Sequence, residues 1–453
     1  MRRGLVKTSI RNSGALTLGV VVGALLLRAG AVDAASVDQA KLDELTRAVE
    51  PKVIAWRRDI HQHPELSNRE VRTSKLVADH LRKLGLEVRT GIARTGVTAY
   101  LKGGLPGPTV ALRADMDALP VTEKTDVPFK STATGTYRGQ TVGVMHACGH
   151  DVHTAVLMGV AETLTAMRAS LPGNVLFIFQ PAEEGAPEGE EGGASVMLKE
   201  GVFDKYPPSA VFGLHMWSPL NVGEIGVRAG PIMAASDSWK IEVLGKQAHG
   251  SRPWQGVDPI VTAAHIVNGL QTIVSRQVDI TANPAVVSVG AINAGIRNNI
   301  IPDRAELIGT IRTFDPKQRE QIIAGIDRMV QNVAHANGAT ATFKVNPDGN
   351  PVNFNNPELL EKMVPTLMRV AGQDKMRLMS LITGAEDFAY YAQKVPSVFF
   401  FVGITPEGQD AATAPGNHSD YFYVDEKSIP VALRAMTQMA VDYLASAGSA
   451  GTQ

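Results

Sequence analysis

Cys148-Gly149-His150 places a thiol and an imidazole two residues apart. Thiolate and imidazole are the strongest protein ligands for zinc-like cations, so a Cys-x-His pair on a loop can hold one or two ions. Alone, the pair also arises by chance. Gln180-Pro181-Ala182-Glu183-Glu184-Gly185 adds two adjacent carboxylates directly after an apolar stretch. Neighbouring side chains there diverge, so one carboxylate can ligate a cation while the other holds a water. A general base must lie within hydrogen-bond reach of the proton it takes. In isolation two glutamates are ordinary surface residues. His215 ends the apolar stretch Ala210 to Leu214, and His418 sits in the polar run Gly416-Asn417-His418-Ser419-Asp420. Each by itself is an ordinary polar residue of a strand end or loop. Together these positions offer Cys, His, Glu, His and His, with a spare Glu beside a ligand candidate. That is the inventory of a dinuclear centre whose two ions share a bridging water and clamp a substrate oxygen. In such a centre Glu183 takes the water's proton and later delivers it to the leaving nitrogen, while the second metal polarises the scissile carbonyl.

These residues need a scaffold, and the hydrophobic patterning supplies one. Leu42, Leu45, Val49, Val53, Ile54 and Ile60 recur at helical spacing. Thr109 to Arg113, Asn174 to Phe179, Ala210 to Leu214 and Ser397 to Val402 are short, nearly continuous apolar runs. Runs of that kind, separated by helices such as His153 to Ala169, mark strands buried on both faces of an α/β layer structure. From Trp239 the order changes. Strands at Trp239 to Leu244, Ala285 to Ile292, Ala305 to Phe314 and Ala339 to Val345 alternate with helices at Asp258 to Ser275 and Pro316 to His335. That β-α-β-β-α-β order is the split, ferredoxin-like arrangement. Helices at Pro357 to Val370, Glu386 to Val395 and Ile429 to Leu444 then complete the first layer. The expectation is one α/β domain with a mixed sheet, in two parts over 35–235 and 348–453, interrupted by a smaller α+β domain over 236–347.

Composition narrows the functional class. The 453-residue chain is 44% hydrophobic and 20% charged, with a formal net charge of −1. It has no basic stripe, so nucleic acid and anionic membrane surfaces are not expected partners. Arg2, Arg3, Lys7 and Arg11 precede an uncharged apolar run from Ala15 to Leu27, and Val32-Asp33-Ala34 fits a cleavage site. Residues 1–34 therefore read as a signal peptide, and the apolar run is short for a membrane anchor. The Arg2-Arg3 pair resembles a twin-arginine export signal. The expected location is the periplasm or the medium. Cys148 is the only cysteine. No internal disulfide exists, and a lone thiol in an oxidising compartment is best explained as buried or metal-bound.

Seven ordered segments closely resemble the M20 metallopeptidase family, specifically its amidohydrolase branch of hippurate hydrolases, N-acyl-amino-acid hydrolases, auxin-conjugate hydrolases and some carboxypeptidases. They are His61-Gln-His-Pro64-Glu65-Leu66, Leu112-Arg-Ala-Asp115-Met-Asp117-Ala-Leu119-Pro120, Met145-His-Ala-Cys148-Gly-His150-Asp151, Gln180-Pro-Ala-Glu183-Glu184-Gly185, Gly245-Lys-Gln-Ala-His249-Gly-Ser-Arg-Pro253, Asn299-Ile-Ile-Pro302 with Gly309-Thr-Ile-Arg312, and Gly384-Ala-Glu386-Asp387-Phe388. The resemblance implies that Cys148, His150, Glu184, His215 and His418 hold two divalent ions per subunit, zinc first, with manganese or cobalt as alternatives. It implies Glu183 as base and Asp115 as the carboxylate orienting a metal-bound imidazole. Other branches carry a histidine ligand two positions before that Asp, where this chain has Arg113. The inserted domain is implied to dimerise. His249 resembles the residue that stabilises the oxyanion, often from the neighbouring subunit. Asn299 and Arg312 resemble the groups that grip a free carboxylate.

The implied reaction is hydrolysis of an N-acyl amino acid, hippurate-like, at the amide bond. A carboxypeptidase or dipeptidase acting on short peptides would need the same centre. A non-catalytic metal-dependent binding protein would have no use for Glu183, and a thiol redox protein would need a second cysteine.

Overall fold

The computed structural model describes residues 38–347 and 349–448. The signal peptide read at 1–34 lies outside the described residues. Among the described residues no helix is long and apolar enough to cross a membrane.

An eight-stranded mixed sheet forms the larger layer. Its strands lie in the order Glu87–Ile92, Gly96–Lys102, Pro172–Gln180, Leu105–Asp115, Ala210–Asn221, Ser397–Thr405, Ile225–Val227, Met376–Leu378. The four central strands, from Pro172–Gln180 to Ser397–Thr405, run parallel. Their side chains explain the continuous apolar runs. In Ser397–Thr405 all nine residues are buried. Val398, Phe400, Val402 and Ile404 enter the core on one face, while Phe399 and Phe401 enter the core on the other. Such period-two division requires cover on both faces. The helices Gln39–Gln62, His150–Ala166 and Ser428–Gly448 pack together on the first face.

A second, four-stranded sheet is antiparallel throughout, in the order Val286–Ala294, Arg304–Thr313, Ala235–Leu244, Thr340–Val345. With helices Pro259–Thr272 and Pro316–Ala336 it follows strand-helix-strand-strand-helix-strand along the chain and has its own apolar core around Trp239, Ile241, Ile266, Leu307 and Ile326. Both helices open on a proline behind an aspartate cap. Asp258 accepts from Ile260 and Val261, and Asp315 accepts from Gln318; the ring's missing N–H falls where a helix leaves its amides unpaired.

Two boundaries differ from expectation in ways that bear on the site. The helix expected from His153 starts at His150, because Gly149 takes φ +93° and turns the chain sharply enough to begin the helix one residue later. The helix expected over Glu386 to Val395 is reduced to Ala389–Ala392. Glu386 and Asp387 spend their carboxylates on Arg113 and on backbone amides instead of extending it.

Candidate metal centre

The parallel strands deliver chemistry at their carboxyl ends, the place where open α/β sheets bind ligands. Asp115 pairs with Gln180 across two strands, and Arg113 pairs with Gly213 on a third. His215, Asp115 and the Glu183-Glu184 turn are therefore level with one another. The Cys148-Gly149-His150 turn enters from the helix side. A Cβ at Gly149 would meet the Met216 side chain at 3.0 Å in a left-handed backbone, so glycine is required there on both counts.

Cys148 Sγ lies 3.5 Å from His215 Nε2 and 3.3 Å from His418 Nε2. His418 Nε2 lies 3.1 Å from Glu184 Oε1, and His150 Nε2 lies 3.9 Å from both Glu183 Oε2 and Glu184 Oε1. Among the described residues five groups of three have the spacing to hold a cation, and two of them contain the thiol: Cys148 with His150 and His215, and Cys148 with Glu184 and His418. Cys148 belongs to both, so its sulfur is the atom the two groups share.

The outward ring atoms are already committed. His150 Nδ1 donates to the Asp117 carbonyl at 2.9 Å, and His215 Nδ1 donates to the Met216 carbonyl at 2.8 Å. Each histidine thereby turns its Nε2 inward, the ring atom left to face a metal. Among the described residues His150 Nε2 is buried and has no hydrogen-bond partner, and the buried Glu184 Oε1 makes no bond beyond its 3.1 Å contact with His418 Nε2. Buried polar atoms left in that state demand a counterpart, and a thiol, imidazoles and a carboxylate facing one another fit a soft or borderline divalent cation. Burial pushes His215 well below the ordinary histidine range, keeping it neutral. Burial, seconded by the nearby Glu184 carboxylate, pushes the Cys148 thiol up; a thiol held protonated and buried is a poor redox nucleophile.

Glu183 stands beside this cluster. Its backbone N–H and that of Glu184 donate to the two oxygens of Asp117, at 3.1 and 3.0 Å. Ser67 donates to Asp117 Oδ2 at 2.7 Å. Ala182 holds φ +53°, a left-handed backbone for a residue with a Cβ, kept in place by its N–H bond to the buried Glu70 carboxylate at 2.9 Å. Burial and the neighbouring Glu386, Glu184 and Asp387 carboxylates raise the proton affinity of Glu183 well above the usual carboxyl range.

Asp115 differs from its expected contact. Its Oδ1 binds His153 Nδ1 at 2.6 Å and lies 3.8 Å from His150 Nδ1. His153 in turn accepts from the Met216 N–H at 2.9 Å, so its ring is used up as a strut between helix and strand. Arg113, fully buried, donates to Gln180, Asp115, Glu386 and Asp387 within 2.6–2.9 Å. His153 and Asp117 carry work that sequence reasoning did not assign. Asp117 had one available signal, a second carboxylate two residues after Asp115 at the end of an apolar strand.

Three further candidates are not in the cluster. Arg312 donates from Nε to Thr383 O at 3.2 Å, beside the Gly384 loop whose Asp387 N–H reaches Glu183 Oε1 at 3.4 Å. His249 and Asn299 sit elsewhere, on the short ladder Ala248–His249 with Ile300–Ile301, where Gly250 N–H bonds Asn299 O at 2.8 Å. Both are exposed. That ladder continues from the Leu244–Arg304 end of the four-stranded sheet, whereas Arg312 occupies the opposite end opposite Ser236. Eight residues of strand separate Arg304 from Arg312, about 27 Å at the usual rise.

The peptidase family M20/M25/M40 model matches residues 111–442, and the chain belongs to that family of hydrolases. It is 41% identical over 404 residues to thermostable carboxypeptidase 1 of Saccharolobus solfataricus, covering 89% of this chain and 98% of that one. It is 40% identical over 396 residues to N-acetylcysteine deacetylase of Bacillus subtilis, covering 87% and 97%. Among solved structures, a dinuclear metal binding peptidase from the M20 family, the YXEP protein of Bacillus subtilis, superposes with a TM-score of 0.72 at 36% identity, covering 88% and 99%.

Proposed function

We propose that this chain is a two-metal amidohydrolase that cleaves the amide bond of N-acyl amino acids, with Glu183 as the proton shuttle. The observation that carries the proposal is the convergence of the buried, partnerless His150 Nε2 with Cys148, Glu184, His215 and His418 beside Glu183. Those five residues are the proposed ligands. Two bound divalent cations would acidify the attacking water and polarise the scissile carbonyl. Glu183 takes the water's proton and returns it to the leaving nitrogen, a shuttle that its raised proton affinity suits. Asp117 keeps the base in place through both backbone amides of the Glu183-Glu184 turn.

Arg312 and Asn299 are the proposed carboxylate grip, and His249 the proposed oxyanion donor. A single subunit holds Arg312 about 27 Å of strand away from the His249 ladder. The proposal therefore takes the active form to be a homodimer through the 236–347 domain, each centre receiving His249 and Asn299 from its partner. Residues 1–34 are proposed as an export signal delivering the enzyme to periplasm or medium.

The deacetylase relative favours the N-acyl amino acid reading; the carboxypeptidase relative supports a second reading, cleavage of short peptides. Hydrolysis of hippurate, N-acetyl amino acids and dipeptides, with chelator and with zinc, manganese or cobalt restored, separates them. Chelator-sensitive cleavage of N-acyl amino acids is the expected result. A preference for peptides would install the second reading, and no cleavage by protein holding two metals would defeat both.

A further inference from the structure

Of the five proposed ligands, His418 is the one open to solvent. Its side chain is 54% exposed, against 0% for His150. It also has a left-handed backbone, φ +73°, which costs free energy in any residue bearing a Cβ. Something outside the histidine must hold it there. One restraint is the His418 N–H bond to the Ala147 carbonyl at 2.7 Å. The other is its neighbour's side chain.

The Asn417 amide joins three segments distant in sequence. Its Oδ1 accepts from the Ser218 N–H at 3.3 Å and the Ser218 hydroxyl at 3.2 Å. A backbone N–H can only donate, so this contact fixes which end of the amide is oxygen. The Nδ2 end donates to the Met216 carbonyl at 3.0 Å and to the Cys148 carbonyl at 3.3 Å, with Cys148 Sγ at 3.9 Å. The amide nitrogen has two hydrogens. One serves Met216 O and the other is shared between the oxygen and sulfur of Cys148. Met216 O is the same carbonyl that fixes the ring of His215. One side chain thus touches Cys148, touches the group orienting His215, and is bonded through the chain to His418.

We propose that Asn417 is a positioning residue that latches His418 to Cys148 and sets how tightly the cation shared by Cys148, Glu184 and His418 is held. The inference rests on the two-cation reading above. The Cys148, His150 and His215 position is enclosed by buried residues, so its ion depends on the latch less. The donor directed at Cys148 Sγ also withdraws charge from the thiolate, which makes the sulfur a direct reporter of the latch.

Cobalt(II) alone is the probe, titrated into metal-free full-length protein and into Asn417→Ala and Asn417→Leu, the second nearly matching asparagine in volume without its hydrogen bonds. The wild-type chain is expected to take two equivalents and show thiolate-to-cobalt absorption in the near ultraviolet. In both variants the weaker equivalent is expected to lose about tenfold to a hundredfold in affinity, the span usual for outer-sphere partners of a metal site. The absorption band should shift while the tighter equivalent and the melting temperature of the metal-free protein hold. Wild-type affinity and an unmoved band in both variants would overturn the latch. So would loss of both equivalents together with the fold's stability, which would make Asn417 a general structural residue. A wild-type chain that takes fewer than two equivalents would instead overturn the two-cation reading, and the latch with it.

Discussion

The Cys148 cluster and the His249 ladder carry residues proposed for one reaction, yet they are built in opposite ways. Around Cys148 nearly every polar atom is bonded from behind: Asp117 holds the glutamate turn, the Asp117 and Met216 carbonyls hold two imidazoles, and His153 props strand against helix. Among the described residues the His249 ring bonds only within its own turn, to Ser251, with Trp254 76% exposed and Ile296 fully exposed nearby in the chain. The first region is preorganised within one chain. The second is exposed and held by its own turn, and in the proposed function it is completed by the partner subunit.

The contrast can be tested from the strongest effect downward. Glu183→Ala should lower turnover by about a hundredfold to ten-thousandfold, the usual contribution of a general base, with both metals retained on elemental analysis. Turnover near wild type would remove Glu183 from the reaction. Cys148→Ser should lower affinity at both cation positions, by at least the tenfold to hundredfold typical of outer-sphere losses, because one sulfur serves both groups. Loss at a single position would mean that the sulfur is not shared.

His249→Ala should cost about a hundredfold or more in turnover with metal content unchanged, as for other oxyanion donors. Mixing it with Glu183→Ala sharpens the comparison: if the ladder works in the partner subunit, mixed dimers regain one intact centre, for about a quarter of wild-type activity in a twofold assembly. Absence of any rescue in a verified mixed dimer would mean that each subunit is self-contained.

The smallest effect is on stability. Burial, with the nearby Asp117 carboxylate, pushes Glu70 up to about 7; burial and Glu386 push Asp387 to about 7, although Arg113 opposes the shift. Between their ordinary values and pH 7 the folded chain holds protons that the unfolded chain has released, so stability falls as pH rises through that window. Glu70→Gln removes its share of that slope, so the melting temperature of the metal-free variant should fall less, or rise more, between about pH 5 and pH 7 than that of the wild-type chain. Parallel pH profiles for the variant and the wild type would contradict the assignment.

The strands were legible because their signals are local, and the proposed ligands were legible as an inventory of residue types. Nine buried residues in a row, from Ser397 to Thr405, cannot be written without an apolar run, whereas Cys148, Glu184 and His418 are ordinary one by one and draw notice only as a set. Supporting residues gave weaker signals. Asn417 and His153 act through contacts made across the fold, and nothing in their immediate sequence distinguishes a clamp from a polar loop or a helix face. Arg113 was noticed only for what it was not. The length of the helix at 386 was misread because Glu386 and Asp387 favour a helix locally, while the tertiary partners that claim their carboxylates lie more than two hundred residues away.

Arg113 also limits what can stand in its place. Its guanidinium is the shared counter-charge of Asp115, Glu386 and Asp387 among buried side chains. A shorter side chain at 113 would leave those acids facing one another without it, and removing one member of a buried charge network is strongly destabilising. The position behind the cluster is therefore closed to variation even though its guanidinium bonds to none of the five proposed ligands.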